Sequence, residues 1–109
     1  MKIVICEDEK VFSDKLVEYI REWADEKGVF IEIFEYTSAE NFLFVWSENE
    51  DFDLVFLDIK MKTMTGVELA KQIRKTNDKI QIVFTTNRFP RKPLRPRFVV
   101  NNTADKISA

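Results

Sequence analysis

Histidine is absent from this 109-residue chain. Its absence excludes Ser-His-Asp and Cys-His nucleophiles, zinc sites built on imidazole, and carriers of phosphohistidine. Any chemistry must therefore use carboxylates, hydroxyls, lysines or a metal ion held by oxygen atoms.

Cysteine occurs once, at Cys6, so an internal disulfide is excluded. No apolar run approaches the length of a membrane span, and the first apolar run, Ile3–Ile5, is too short for a signal peptide and is followed by acidic residues. These features predict a single cytoplasmic domain, and they indicate no contact with a membrane.

Proline is confined to Pro90, Pro93 and Pro96, and the charge changes sign at the same place. Residues 1–87 hold 11 basic and 18 acidic side chains, whereas residues 88–109 hold six basic and one acidic. We therefore predict a domain core over 1–87 and an atypical basic, proline-rich segment over 88–109. Such an abrupt change is typical of a reading-frame shift or a truncated gene, but a divergent tail is an alternative.

Short apolar runs and amphipathic stretches alternate along the first 85 residues. Strands are predicted at 2–6, 30–36, 53–58 and 80–85, and helices at 11–26, 37–47 and 65–76. Thr37 and Thr65 each precede a glutamate at the spacing of a capping box, and Trp23 lies in the apolar stripe of the first helix. No Asn-Gly or Asp-Gly hairpin signal occurs. The order predicts an α/β fold with a doubly wound parallel sheet. Beyond residue 90, only 98–100 has the composition of a strand, at a sheet edge.

Carboxylates follow two of the predicted strands. Glu7 and Asp8 come after the first strand and Asp58 ends the third. Ligands of parallel α/β sheets collect at the carboxyl ends of strands, so neighbouring strands would bring the three acids together. A hard divalent cation such as Mg²⁺ would relieve their repulsion, and an aspartate beside it can act as a nucleophile toward phosphorus. The alternative is that these acids are merely solvated loop residues.

Residues 1–87 resemble the receiver domains of bacterial two-component response regulators, most closely the class with a LytTR-type DNA-binding output. The resemblance is carried in chain order by residues 3–9, 53–58, Met61, Met64, 66–70 and 82–86. It implies a flavodoxin-like (βα)5 fold with strand order 2-1-3-4-5. The fifth βα unit is not recognisable here and is altered or missing.

The resemblance also implies roles for the acids. Asp58 matches the phosphoacceptor, which takes a phosphoryl group from a sensor histidine kinase. Glu7 and Asp8 match the pair that holds Mg²⁺ together with Asp58, and Lys60 matches the position whose backbone carbonyl completes the protein ligands.

Other matches concern the phosphoryl group itself. Thr86 matches the hydroxyl that binds a phosphoryl oxygen and moves on activation, and Thr85 is its rival. Asn87 lies where the family has a small residue at the access to the site. The family's phosphate-pairing lysine ends strand five, and Lys106 is the candidate for that position.

Three hypotheses follow. The first is a receiver that accepts a phosphoryl group on Asp58 and signals without turning over a substrate, catalysing only its own phosphotransfer and autodephosphorylation. The second is a degenerate or truncated receiver-like interaction module that does not switch. The third, a phosphohydrolase, would require a second aspartate where Lys60 stands. If strand four were left as an edge, a homodimer or a domain-swapped oligomer would be expected. DNA contact would need an output domain that is absent from this chain.

Overall fold

The computed structural model describes residues 1–86 and, for the backbone, 97–101. Strands and helices alternate until the last strand. They are β1 (Lys2–Cys6), α1 (Lys10–Lys27), β2 (Glu32–Tyr36), α2 (Ala39–Glu48), β3 (Leu54–Asp58), α3 (Gly66–Thr76), β4 (Gln81–Thr86) and β5 (Arg97–Asn101).

The sheet has the strand order β2-β1-β3-β4-β5, and its first four strands are parallel. Cys6 at the end of β1 pairs with Leu57, and Asp58 at the end of β3 pairs with Thr85. The carboxyl ends of β1, β3 and β4 therefore meet at one edge of the sheet. The predicted α/β architecture and the strand order are confirmed.

Two hydrophobic clusters cover the two faces of this sheet, as the alternation of side chains along buried strands requires. One face packs against α2 and α3 through residues that include Phe42, Leu69 and Phe84. The other packs against α1 through residues that include Leu16 and Phe56. Asp58 thus ends a strand that is buried on both faces and whose position is fixed by packing.

Local capping explains where the helices begin and end. Helix α1 ends at Gly28, which adopts the left-handed conformation with φ 65°. Helix α3 begins with the predicted capping box, because the Thr65 hydroxyl accepts from the Glu68 amide and the Glu68 carboxylate accepts from the Thr65 amide. In α2 the N-cap is Ser38, which accepts from the Asn41 amide, so the prediction that Thr37 caps this helix is wrong.

One expectation about burial needs correction. Trp23 is 40% exposed, and the buried face of α1 continues through Ala24 instead. In α3 Leu69 and Ile73 are fully buried, and Val67 is half-buried against the same cluster. Within residues 1–86 and 97–101, no helix has both the length and the apolar character to span a membrane.

The fifth strand differs most from a regular (βα)5 domain. Strand β5 contains the predicted edge strand at 98–100, but it runs antiparallel to β4, with Arg97 opposite Thr86 and Asn101 opposite Ile82. Because β5 pairs along β4, the expectation that β4 forms an exposed edge is wrong. The argument for a swapped oligomer through that edge therefore loses its basis.

Candidate functional site

Three carboxylates meet where β1 and β3 end. Glu7, Asp8 and Asp58 each offer a carboxylate oxygen that lies within 4.8 Å of the other two. The acids come together because β1 and β3 are parallel neighbours with their carboxyl ends aligned. This is the set that the sequence places at the sheet edge, and its geometry suits a divalent cation bound by oxygen.

Two of these carboxylates are almost inaccessible to solvent. Glu7 is 2% exposed and Asp58 is 1% exposed. One oxygen of each accepts a backbone hydrogen bond, from the Glu9 amide to Glu7 Oε2 at 2.9 Å and from the Lys60 amide to Asp58 Oδ1 at 3.2 Å. The other oxygens, Glu7 Oε1 and Asp58 Oδ2, are buried without a hydrogen-bond partner. Buried polar atoms are normally paired, so these two oxygens fit a site that binds a cation or another polar group.

Burial changes the proton affinity of both groups. It raises the pKa of Glu7 to about 8, with further contributions from the charges of Asp58 and Asp8. Burial also raises the pKa of Asp58 to about 6, and the charge of Asp8 adds to the effect, while the Lys60 amide opposes it. Two nearby carboxylates in a low-dielectric site retain a proton unless a cation replaces it.

The backbone beneath Asp58 requires a glycine. A Cβ atom built on Gly66 would overlap the carbonyl oxygen of Asp58 and would lie 2.9 Å from its carbonyl carbon. The Gly66 amide also donates to the Ile59 carbonyl at 3.0 Å, which closes the loop between β3 and α3. In the sequence, Gly66 stands out only as part of the motif at 66–70. The available signal was a glycine directly after the capping residue Thr65, at the first position of a helix.

Of the two candidate hydroxyls, only that of Thr85 is described. Thr85 is buried opposite Asp58, and its hydroxyl donates to the Leu57 carbonyl at 3.4 Å. Thr86 is the last residue of β4, and only its backbone is described. Asn87 and Lys106 lie outside the described residues.

A polar cavity of about 240 Å³ opens beside the acids, lined by residues that include Asp8, Ser38 and Lys62. Across this cavity the Thr63 hydroxyl donates to the Glu40 carboxylate, which connects the loop after β3 to the first turn of α2. Met61 also lines the cavity and is buried, which agrees with a packing role for this loop methionine. The loop that follows Asp58 is therefore held by two hydrogen bonds, one from Gly66 to Ile59 within the loop and one from Thr63 to Glu40 of α2.

Comparisons with solved structures identify the same fold in other proteins. The response regulator receiver domain protein from Clostridium thermocellum is 23% identical, with a TM-score of 0.60 over 78% of this chain. The response regulatory domain of mrkE from Klebsiella pneumoniae is 31% identical, with a TM-score of 0.63 over 79% of this chain. The receiver domain of the Francisella response regulator 1452 is 24% identical, with a TM-score of 0.58 over 78%.

This chain spans 64%, 66% and 64% of the lengths of those three chains. No curated protein matches it at a significant level. The sequence profile of the response regulator receiver domain, however, matches residues 3–103. That match runs from β1 to β5 and includes the three acids at the ends of β1 and β3. The chain therefore belongs to the response regulator receiver domain family.

Proposed function

We propose that this chain is a phosphoacceptor of two-component signalling, in which a sensor histidine kinase transfers a phosphoryl group to Asp58. The observation that carries this proposal is the buried oxygen Asp58 Oδ2, which has no hydrogen-bond partner beside two other carboxylates. A structural aspartate at this depth would be expected to have both oxygens satisfied. An unsatisfied oxygen at the carboxyl end of a central strand is instead suited to react.

The metal in this proposal is Mg²⁺, held by Glu7, Asp8, Asp58 and the backbone carbonyl of Lys60. Three carboxylates within 4.8 Å form an all-oxygen donor set, which fits this ion. When bound, Mg²⁺ neutralises charge on the transferring phosphoryl group. The buried oxygen of Glu7 that lacks a partner supports the assignment, because a cation would satisfy it.

Transfer requires a free carboxylate oxygen on Asp58. The Lys60 amide holds Oδ1, which fixes the carboxylate plane and leaves Oδ2 as the attacking atom. Oδ2 forms a bond to phosphorus while the phosphorus–nitrogen bond of the donor phosphohistidine breaks, and the departing imidazole keeps the bonding electrons. With an acyl phosphate as donor, the phosphorus–oxygen bond breaks and a carboxylate departs. Hydrolysis of the resulting acyl phosphate would return Asp58 and inorganic phosphate.

We propose that the Thr86 hydroxyl donates a hydrogen bond to a phosphoryl oxygen. The alternative residue, Thr85, already donates a hydrogen bond from its hydroxyl to the Leu57 carbonyl. Breaking that bond would leave a buried acceptor without a partner, which costs free energy. Asn87, the next residue, is proposed to line the access to the site. From the motif resemblance, we propose a LytTR-type DNA-binding output only for a longer protein that contains this domain.

A receiver-like interaction module that does not switch is the second candidate, and the direction of β5 favours it. The resemblance implies a phosphate-pairing lysine where strand five ends at the acidic edge of the sheet. Here β5 ends at Asn101 opposite Ile82, toward the other end of β4. Lys106 follows that end by five residues in the sequence. A pairing role for Lys106 is a proposal that rests on the motif resemblance alone.

Phosphoryl labelling with a radioactive acyl phosphate separates the candidates. We expect labelling of the wild type that requires Mg²⁺ and is lost in Asp58→Asn. Asp53→Asn is the matched control, because Asp53 is an exposed aspartate just before the amino end of β3. A phosphoryl mimic that changes neither oligomeric state nor partner affinity in a labelled protein would favour the module that does not switch. A wild type that takes no label would contradict the proposed function.

A further inference from the structure

The loop between β3 and α3, residues 59–65, carries two groups of the proposed site. The Lys60 amide donates to Asp58 Oδ1 at 3.2 Å, and the Lys60 carbonyl is the proposed backbone ligand of Mg²⁺. Because Mg²⁺ demands near-ideal octahedral geometry, a carbonyl ligand that is poorly fixed binds it weakly. Metal affinity should therefore depend on the contacts that fix this loop.

Backbone bonds and packing fix the inner part of the loop. The Gly66 amide donates to the Ile59 carbonyl at 3.0 Å, and Met61 is buried in the cluster that also contains residues of α2 and α3. Lys62 and Thr63, in contrast, are exposed. Neither the core nor the backbone bond to Ile59 holds this outer part of the loop directly.

A side-chain hydrogen bond holds the outer part instead, from the Thr63 hydroxyl to the Glu40 carboxylate. Glu40 lies in the first turn of α2, and this helix is anchored in the core by the fully buried side chain of Phe42. The acceptor is therefore carried by a fixed element, and the donor by the loop that it fixes.

This hydrogen bond connects the two sides of the acidic site. On one side, β1 leads into the acidic pair, and the Cys6 thiol at its end donates to the Ser38 carbonyl at the start of α2, at 3.9 Å. On the other side, β3 leads through its terminal aspartate into the loop. Asp8, Glu40 and Thr63 line the same cavity of about 240 Å³ between these elements. The bond thus fixes the loop relative to the strand that carries the other two acids.

We propose that Thr63 and Glu40 are positioning residues of the metal site, because their hydrogen bond holds the loop after β3 and so positions the Lys60 carbonyl for Mg²⁺. This inference rests on the proposed function. The two residues act through the loop and do not touch the metal. The net contribution of one hydrogen bond corresponds to a change of about fivefold in affinity.

Calorimetric titration of the full chain with Mg²⁺ tests the proposal. Thr63→Val removes the hydroxyl while keeping the charge and the shape of the side chain, and we expect Mg²⁺ to bind about fivefold more weakly. Thr63→Ser keeps a hydroxyl and should restore the wild-type affinity. Thr37→Val is the matched control, since Thr37 is an exposed threonine that lines the same cavity, and it should leave Mg²⁺ affinity unchanged.

A double-mutant cycle separates the hydrogen bond from the charge of Glu40. Glu40→Ala removes both the acceptor and a negative charge beside the cavity, whereas Glu40→Gln keeps an acceptor oxygen. If the two residues act through their bond, Thr63→Val should weaken Mg²⁺ binding when Glu40 or the glutamine is present and have almost no effect in the Glu40→Ala background.

Hydrogen exchange in the metal-free protein gives a measurement that does not involve the metal. We expect the backbone amides of residues 59–65 to exchange faster in Thr63→Val than in Thr37→Val, because a loop that has lost a contact opens more often. Exchange in the buried strands should be the same in both variants.

The outcomes separate this inference from the proposed function. If the wild type is labelled at Asp58 but Thr63→Val binds Mg²⁺ as tightly as the wild type, the positioning role is overturned and the phosphoacceptor stands. Equal losses from Thr63→Val with and without Glu40, or unchanged exchange of the loop, would also overturn it. If the wild type neither labels nor binds Mg²⁺, both proposals fall. Circular dichroism establishes folding, and Thr63→Ala provides a second variant without the hydroxyl should the valine variant not fold.

Discussion

Gly66 lies against the backbone carbonyl of Asp58 so closely that no side chain fits between them. Gly66, the first residue of α3, therefore packs directly against Asp58, the last residue of β3. Packing at this point fixes the position of the proposed nucleophile from below, while the Lys60 amide fixes its carboxylate from the side.

Gly66→Ala should therefore damage both stability and the site. We expect a loss of about 1–3 kcal/mol in the free energy of unfolding, typical of overpacking, because the added methyl group meets backbone rather than a movable side chain. Mg²⁺ affinity should fall as well, since Asp58 must shift. Denaturant unfolding and calorimetric Mg²⁺ titration measure the two effects.

Gly28→Ala is the control for this variant. Gly28 has a positive φ, so alanine should cost about 1–2 kcal/mol of backbone strain, but a Cβ there has nothing within 4 Å. We expect lower stability with unchanged Mg²⁺ affinity. If Gly66→Ala binds Mg²⁺ as the wild type does, the proposed support of Asp58 is wrong.

Mg²⁺ affinity should rise with pH. The metal requires ionised carboxylates, whereas burial raises the pKa of Asp58 to about 6 and that of Glu7 to about 8 in the metal-free protein. Binding must therefore displace protons, and the affinity should increase between about pH 6 and pH 8 and then level off. Calorimetry in buffers of different ionisation enthalpy also counts the released protons. A flat profile across this range would contradict the raised pKa values.

Asp58→Asn should stabilise the metal-free protein at high pH. An acid with a raised folded-state pKa binds its proton more tightly when folded, so stability falls as pH rises from the unfolded-state value of about 4 toward the folded-state value of about 6. Above that range the ionised wild type bears the full cost, and asparagine should recover about 1–3 kcal/mol. The difference should vanish in acid. Equal stability of the two proteins at pH 8 would show that Asp58 is not penalised by burial.

The caps of α2 and α3 provide a test of local structure away from the acids. Ser38→Ala and Thr65→Ala should each cost about 1 kcal/mol, because each removes a hydroxyl that accepts a backbone amide at the start of a helix. Thr37→Ala should cost much less, since Thr37 is exposed and precedes the cap. Thermal unfolding of the three variants measures the ranking. A larger effect at Thr37 than at Ser38 would contradict the observed start of α2.

The sequence predicted the four parallel strands well because their signals are local. Apolar runs such as residues 54–57 can only be buried, and the alternation with amphipathic helices leaves few topologies. Thr37 and Ser38 show the limit of that approach. Either residue can cap a helix. Which of them does so depends on the backbone conformation just after β2, and the capping-box spacing does not determine that conformation.

The three acids of the site could be predicted from the sequence, but the residues that position them could not. Glu7, Asp8 and Asp58 lie at the ends of predicted strands, and parallel strands align their carboxyl ends. The close approach of Gly66 to Asp58 depends on the path of a whole loop, and so it has no signature beyond the glycine itself. The direction of β5 was also not predictable, since a run such as 98–100 can pair in either direction.

Chemical mapping of Asp58 tests most directly whether this residue accepts a phosphoryl group. The protein would be incubated with Mg²⁺ and a small acyl phosphate, reduced with borohydride, digested and analysed by peptide mass spectrometry. An aspartyl phosphate is reduced to homoserine, so we predict homoserine at position 58 in a Mg²⁺-dependent fraction of the wild type. An unmodified Asp58 in a folded protein that binds Mg²⁺, or homoserine at another aspartate instead, would contradict the account.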